Sequence, residues 1–290
     1  SKHIPSAPPM PLEPITGPQV RDAYKAAAHN VGGLDGWLPA EMAMLPDCYF
    51  SSIADLYNLI EAGHGWPSGQ CHGRLAFLEK DPENPDNPLA YRLHTLLTVL
   101  YRRWASIRLR TLAPWSQSWG MDEMYAGVGS NGAEDAWMDL AILVEHWQLS
   151  GTPFCGGATD IVKCFDQIDR DLLLAIAKKA GMPTCILETY RRFMDQLKLH
   201  NTIAGGIGAP YSRQCGIPQG CPLSMLMVAL LLHPWVHRVK LVGAIPKVLA
   251  DDILLLAAGN RCGDTFAAAL QVYLTPPSHQ LPSYTIAFFN

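Results

Sequence analysis

The sequence predicts an α+β fold in which helices back one face of an antiparallel sheet. Three observations support this class: amphipathic helical patterns, short apolar strands, and turn signals that join strands directly into hairpins. The 290 residues are 49% hydrophobic and 17% charged, a composition that can bury a core and that excludes a disordered or fibrous chain. The formal net charge of −4 excludes a histone-like basic protein.

Composition also predicts the compartment. No apolar run reaches the roughly 18 residues that a membrane span needs, and the start of the chain does not have the pattern of a signal peptide. The eight cysteines show neither a C-x-x-C pair nor zinc-type spacing, so we expect small buried hydrophobes in a reducing environment. We therefore expect an intracellular protein of the cytoplasm or nucleus that does not contact a membrane. Because the chain begins with Ser, we expect it to be part of a longer protein.

The individual elements follow from periodicity and turn residues. Prolines fix the backbone of residues 1–19, which predicts an extended arm. Short strands are predicted at 75–78 and 158–162. Helices are predicted at 20–28, 39–45, 49–61, 171–180, 183–199, 222–238 and 264–274.

Two longer helices are predicted between these segments. Apolar residues at helical spacing predict a helix of about five turns over 89–112. A second helix over 132–149 carries an apolar stripe that we expect in the core. The stripe consists of Trp137, Leu140, Ala141, Val144 and Trp147.

The predicted helix 89–112 has a basic face without an acid. A solvated surface and a contact to nucleic acid phosphates are both compatible with such a face. Its arginines are Arg92, Arg102, Arg103, Arg108 and Arg110.

Two hairpins are predicted in the C-terminal half. A glycine pair indicates a tight turn within 203–207. Asp251 and Asp252 form the tip of an apolar hairpin over 247–256. Because side chains alternate on a strand, both carboxylates cannot enter the core, so the pair predicts an exposed turn or a metal site.

Asp160 ends the other apolar strand and is the natural partner for this pair. If the two strands are neighbours, Asp160 and Asp251 face each other and can hold two Mg²⁺ ions about 3.5 to 4 Å apart. Taken alone, Asp160 is also typical of a strand-end or capping acid. Asp169 and Asp171 are predicted to be acids at a helix N-terminus.

Three segments closely resemble the palm motifs of reverse transcriptases, in that family's order and spacing. They are 160–166, 216–224 and 249–252. Upstream, three further segments look like the fingers motifs of non-long-terminal-repeat (LINE-type) retroelements, and group II intron and retron enzymes are the near alternatives. These are 32–36, the stretch from 77–80 to 91–92, and 131–135.

The resemblance implies a polymerase right-hand fold with fingers and palm, and it assigns catalytic roles. Asp160 and Asp251 correspond to metal ligands for two Mg²⁺ ions, with Mn²⁺ as an alternative. The Ile161 carbonyl corresponds to a backbone ligand, and Asp252 is a further catalytic carboxylate. Phe165 takes the position of the aromatic gate against a ribose 2′-hydroxyl, although packing in the core would also explain an aromatic residue there.

The resemblance likewise implies substrate contacts. Gln219 and Gly220 would lie against the incoming nucleotide and the template, and Arg92 and Lys80 would hold the triphosphate. The expected activity is RNA-directed DNA synthesis, with an RNA template, a DNA primer and deoxynucleoside triphosphates (dNTPs). An RNA-dependent RNA polymerase would use the same metal chemistry, but Phe165 argues against ribonucleotides.

The expected organisation is an arm at 1–19, a fingers-like region with the first palm helices at 20–150, a palm at 151–274 and an atypical tail at 275–290. No thumb motif is recognisable in that tail, so we expect a hand without a thumb and weak processive synthesis. Two alternatives to a polymerase remain: an inactive domain that binds nucleic acid through the 92–110 helix, and a folded remnant without function.

Overall fold

The computed structural model describes residues 3–84, 86–87, 90–129, 131–203, 205–274 and 284–289. The helices are α1 Gly17–Lys25, α2 Pro39–Met42, α3 Asp47–Glu61, α4 Val99–Thr111, α5 Ala113–Trp119, α6 Ala133–Ser150, α7 Cys164–Gln167, α8 Arg170–Lys179, α9 Thr184–Gln196, α10 Ser224–Leu241 and α11 Cys262–Leu274. The strands are β1 His72–Glu79, β2 Tyr91–Leu97, β3 Phe154–Ile161, β4 Lys198–Ile203, β5 Gly206–Ile207, β6 Ile245–Leu249, β7 Asp252–Ala258 and β8 Tyr284–Phe289. In this part of the chain no helix is long and apolar enough to cross a bilayer.

The chain divides into two compact units, each with its own four-stranded sheet. The antiparallel unit contains Ser1–Pro8, Ala113–Gly181 and Met225–Asn290. The mixed-sheet unit contains Pro9–Leu112 and Met182–Ser224. Mixed helices and sheets confirm the predicted α+β class.

The antiparallel unit is built on the sheet β6-β7-β3-β8, in which every neighbouring pair is antiparallel. This confirms the predicted hairpin over 247–256. Helix α11 packs against β3 and β7. Part of the predicted tail joins the sheet, because β8 pairs with β3 along its other edge. Residues 275–283 of that tail lie outside the described residues.

The mixed-sheet unit is built on the order β2-β1-β4-β5, with a parallel pair between β1 and β4. The predicted hairpin at 203–207 is confirmed, since β4 pairs with β5 and Gly205 has a φ of +82°. One face of the sheet packs inward. A side chain added at Gly73 would meet those of Leu97 and Leu199, and both leucines are buried.

The predicted five-turn helix over 89–112 is wrong in its first half. Residues 91–97 form β2, and the helix begins only at Val99. The spacing of the leucines in this stretch fits a helix, but β1 offers a complete antiparallel partner from Gly73 to Glu79. Tertiary pairing therefore decides the conformation where local periodicity is ambiguous.

The segment 32–36 anchors the start of α4. The Asp35 carboxylate accepts a hydrogen bond from the Val99 backbone N–H at 3.0 Å, so it caps the helix from outside. Gly33 lies so close to the end of β2 that a Cβ there would be 2.8 Å from the Leu97 carbonyl oxygen. Burial raises the pKa of Asp35, and the hydrogen bond from the Val99 N–H offsets only part of this rise.

The basic face predicted on this helix is largely internal. Arg102, Arg103 and Arg108 are buried, with at most 7% exposure. Arg102 and Arg103 donate to the backbone carbonyls of Val31 and Ala23. These three guanidinium groups are therefore engaged inside the unit and do not form a surface for phosphate contacts, whereas Arg110 on the same helix is exposed.

Arg108 finds the acid that its own segment lacks on α3. Its Nε donates to Glu61 Oε1 at 2.7 Å, and Nη2 pairs with Oε2. The indole N–H of Trp104 donates to the same Oε1. The side chains of Arg108 and Glu61 are only 2% and 8% exposed, so this is a buried ion pair.

The core stripe predicted on α6 is also wrong. Trp147 is buried, but Trp137 is 72% exposed and Ala141 is exposed as well. Two polar contacts hold the helix near β6: Asp139 accepts from the Tyr125 hydroxyl and from Lys247 Nζ, and these contacts lower the pKa of Asp139. Apolar spacing alone did not reveal how little of this helix is covered.

Candidate active site

Three aspartates lie at one end of the antiparallel sheet. The strands β3 and β7 are neighbours, as the site hypothesis requires, and the register places Asp160 directly opposite Asp252. Directly opposite residues of an antiparallel pair project from the same face, and both side chains are exposed. The expected partner of Asp160 was Asp251, which instead occupies the turn, where its carbonyl accepts the Ile161 N–H at 3.4 Å.

The backbone is strained on both sides of these aspartates. Lys163 and Ala250, with φ of +50° and +59°, are the two non-glycine residues with positive φ in the described chain. Lys163 follows the strand that carries Asp160, and Ala250 precedes Asp251. A left-handed backbone costs a non-glycine residue roughly 1 to 2 kcal/mol, and such strain is typical of functional sites.

Ala250→Gly is expected to stabilise the protein by roughly 0.5 kcal/mol, since glycine removes the left-handed strain while adding some unfolded-state entropy. Urea unfolding monitored by circular dichroism measures the change. Ala258→Gly is the matched control, because Ala258 has no positive φ and is exposed at the end of β7. It should lower stability. If both variants lose stability alike, the backbone at Ala250 is not strained.

The negative charges of these aspartates affect the thiol of Cys164. Burial and, to a smaller extent, the charges of Asp251 and Asp160 together raise the pKa of Cys164 to about 12. Two like charges directly opposite on a sheet repel each other, so a cation between Asp160 and Asp252 would relieve an existing repulsion.

The donor set fits Mg²⁺ in a particular way. Within the described residues, no group of three or more His, Cys, Asp or Glu side chains is arranged to hold a metal on its own. Mg²⁺ commonly binds through one or two carboxylates, with water and substrate phosphates completing its shell. Carboxylates at an exposed turn match that kind of site better than a metal cage made only of protein ligands.

Phe165 lies on the short helix α7, directly beyond the strained Lys163. It is half-buried and is not part of the buried core. Part of its ring is therefore accessible to solvent. Asp169 caps α8, because its side chain accepts the Leu172 N–H at 3.0 Å. This agrees with the prediction of an acid at a helix start.

The segment 216–224 is fixed against β2 within the mixed-sheet unit. The Gln219 carbonyl accepts the Thr95 N–H at 2.8 Å, so this segment occupies the outer edge of β2. Gly220 has a φ of +127°, and a Cβ there would lie 2.3 Å from the Thr95 carbonyl oxygen. Glycine is required here by both conformation and space. Ser224 closes the turn by donating to the Pro218 carbonyl at 2.9 Å.

Arg92 and Lys80 lie on the same face of the β1–β2 hairpin. Arg92 is opposite Leu78, and the Lys80 N–H bonds to the Ala90 carbonyl at 2.7 Å, so Lys80 continues that face two residues further on. Both side chains are exposed. The structure thus brings together the four predicted nucleotide-binding residues of this unit along β2 and its hairpin, while Phe165 and the three carboxylates belong to the antiparallel unit.

The same sheet face carries further basic and histidine side chains that the sequence analysis missed. Strand register places seven basic or histidine side chains on it, and none of the acids of β1, β2 or β4. We call this the basic sheet face; it comprises His72, Arg74, Lys80, Arg92, His94, Lys198 and His200. In the sequence, basic residues or histidines occupy every second position of several short stretches. This spacing indicates a shared sheet face only when the stretches are known to be strands.

The antiparallel unit carries acids at a hairpin tip of its sheet, and the other unit combines helices with a mixed sheet. These features define the palm and fingers fold of a nucleic acid polymerase. A comparison with family models matches residues 80–275 to the reverse transcriptases (RNA-dependent DNA polymerases). This is more than half of the chain, and the protein belongs to the reverse transcriptase family. A search of curated proteins found no match.

Proposed function

We propose that this chain is an RNA-directed DNA polymerase that transfers deoxynucleotides onto a primer 3′-hydroxyl by a two-metal mechanism. The observation that carries the proposal is the placement of Asp160 opposite Asp252, with Asp251 in the adjoining turn. Family membership supports RNA, DNA and dNTPs as the substrate classes. In the reaction, the primer oxygen bonds to the α-phosphorus and the bond to pyrophosphate breaks.

Asp160 and Asp251 would hold two Mg²⁺ ions, or Mn²⁺, with the Ile161 carbonyl and Asp252 close by. Such ions, when bound, neutralise the charge that develops on the attacking oxygen and on pyrophosphate. Asp160 and Asp252 supply the negative field that attracts divalent cations to this end of the sheet. The strained turn at Ala250 keeps Asp251 at the hairpin tip rather than in the strand.

The remaining residues position the nucleotide. Arg92 and Lys80 bind the triphosphate through charge-assisted hydrogen bonds, which are the stronger kind. Gln219 and Gly220 form a backbone surface that can approach the nucleotide closely, since glycine presents no side chain. Phe165 stands against the 2′ position of the sugar and so favours deoxynucleotides.

The resemblance of 32–36 and 131–135 to fingers motifs supports a LINE-type element as the source, with this chain as one part of a longer polyprotein. The parent transcript beyond residue 290 tests this part of the proposal. Thumb helices encoded directly downstream are the expected result, and a stop codon at that position contradicts it.

Primer extension on an RNA template, with Mg²⁺ and dNTPs, tests the activity. Extension is expected with the wild type and is expected to be lost with Asp251→Ala. Equal signals from the wild type and this variant at high protein concentration would reject catalysis by this chain. Faster incorporation of ribonucleotides than of deoxynucleotides would instead indicate an RNA polymerase.

A second function, nucleic acid binding without catalysis, is favoured by the basic sheet face. Each phosphate contact that is lost should reduce the salt dependence of binding by about one unit of slope in a plot of log affinity against log salt. Lys198→Ala is therefore expected to weaken binding to a single-stranded RNA and to flatten this slope. Asp251→Ala is expected to leave binding unchanged.

The control for this binding experiment is Arg110→Ala. Arg110 is exposed on α4, outside the basic sheet face. Fluorescence anisotropy over a salt series gives the slopes for all variants. An effect of Arg110→Ala without an effect of Lys198→Ala would place the binding surface on α4 instead.

A further inference from the structure

His94 occupies an unassigned position among the predicted nucleotide-binding residues. It lies on β2 two residues after Arg92, so the two side chains project from the same sheet face about 6.6 Å apart along the strand. Its partner in the register is Ala76 on β1, whose small side chain leaves the imidazole room above the sheet.

The imidazole also touches the segment 216–224. A Cβ at Gly220 would lie 3.4 Å from both Cε1 and Nε2 of His94, so the ring lies beside the Gly220 backbone. The next residue of β2, Thr95, bonds to the Gln219 carbonyl. His94 is thus the side chain at which the Arg92 strand and the Gln219–Gly220 turn meet.

No described residue forms a hydrogen bond with either ring nitrogen of His94, and the side chain is only half-buried. The histidines at the other end of the face differ in this respect. His72 and His200 are hydrogen-bonded to each other at 2.9 Å, and His200 also contacts the Gly208 carbonyl. His94 therefore keeps its hydrogen-bonding capacity available for a ligand.

We propose that His94 donates a hydrogen bond to the triphosphate of the incoming dNTP, beside Arg92 and Lys80. This inference rests on the proposed function and adds a residue to the same site. An imidazole N–H is a suitable donor to phosphate oxygens, and the cations on either side make this face attractive to a polyanion.

A purely structural role for His94 makes a different prediction. If the ring only supports Gly220, then His94→Phe preserves the flat surface and should behave as the wild type, whereas His94→Gln should not. If the ring donates to phosphate, His94→Gln keeps an N–H donor and should behave better than His94→Phe. The two roles thus give opposite orders for the same pair of variants.

The experiment measures steady-state primer extension on an RNA template and, separately, binding of a non-hydrolysable dNTP analogue with Mg²⁺ to the whole chain. Loss of one hydrogen bond to a charged group is expected to raise KM for dNTP about 5- to 20-fold in His94→Phe. We expect kcat to stay within about threefold, because the lost contact binds substrate and transition state alike. His94→Gln should recover most of the affinity. His29→Gln, an exposed histidine after α1, is the control.

The outcomes separate this inference from the proposed function. If the wild type extends primers and His94→Phe has an unchanged KM, the inference is wrong and the proposed function stands. If the wild type binds the analogue through His94 but does not extend primers, the inference stands and catalysis is rejected. If the wild type neither extends primers nor binds the analogue, both are overturned. Circular dichroism melts establish that each variant is folded.

Discussion

Asp160→Asn is expected to abolish primer extension and, at the same time, to make the protein more stable. Under the proposed two-metal mechanism, this change removes several kcal/mol of transition-state charge stabilisation. Because about 1.4 kcal/mol corresponds to a factor of ten in rate, we expect a loss of roughly a thousand-fold or more. The stability gain follows from the register, because Asp160 and Asp252 are directly opposite each other. Removing one of two like charges on a sheet pair is worth about 0.2 to 1 kcal/mol.

Two measurements are needed for this prediction, because each excludes a different explanation. Single-nucleotide incorporation reports the activity, and urea unfolding without divalent ions reports the stability. Asp169→Asn is the matched control, since asparagine caps a helix as well as aspartate does and Asp169 caps α8. It should change neither quantity. A variant Asp160→Asn that is both inactive and less stable would show that Asp160 maintains the fold rather than the site.

Glu61→Ala is expected to lower the free energy of unfolding by about 3 to 5 kcal/mol, because it leaves the buried Arg108 guanidinium without its counter-ion. Trp104 loses its hydrogen-bond acceptor in the same variant. Such a loss is a large fraction of the total stability of a typical domain. Guanidinium-induced unfolding of the whole chain measures it.

Two controls make the Glu61 prediction specific. Glu188→Ala breaks an exposed ion pair with Arg191 and should cost less than about 1 kcal/mol. The double variant Glu61→Leu with Arg108→Met replaces the pair by apolar groups and should recover much of the loss. If Glu61→Ala does not fold, Glu61→Gln provides the milder change. A cost for Glu61→Ala as small as that for Glu188→Ala contradicts the prediction.

Sequence reasoning succeeded where one local pattern had one interpretation. The acids at 251–252 interrupt an apolar stretch, and only a hairpin tip allows both to avoid the core. The glycines at 205–206 likewise permit a turn that few other residues allow. These features depend on the backbone preferences of a few adjacent residues, so they can be predicted without knowledge of the rest of the molecule.

The sequence failed where a distant partner determines the outcome. The stretch 91–97 fits either a helix or a strand, and β1 selects the strand. Arg108 counts as one more cation in the composition, but Glu61 on another helix makes it internal. Trp137 fits the core spacing of α6, yet nothing in its own helix determines whether another element covers it. His94 was overlooked because Gly220, which lies against it, is 126 residues further along the chain.

The parallel pairing of β1 with β4 has a consequence for how the chain folds. The mixed sheet is completed only when residues near 200 join those near 75, after an intervening segment that belongs to the other unit. Closing so long a loop precedes any gain from the contacts, and pairing of this kind is slow. During synthesis one edge of β1 therefore stays unpaired until β4 has been made, and an unpaired strand edge is prone to aggregation. A fragment that stops before Met182 should aggregate. Isolating either unit requires its separate chain segments to be joined in a new connection.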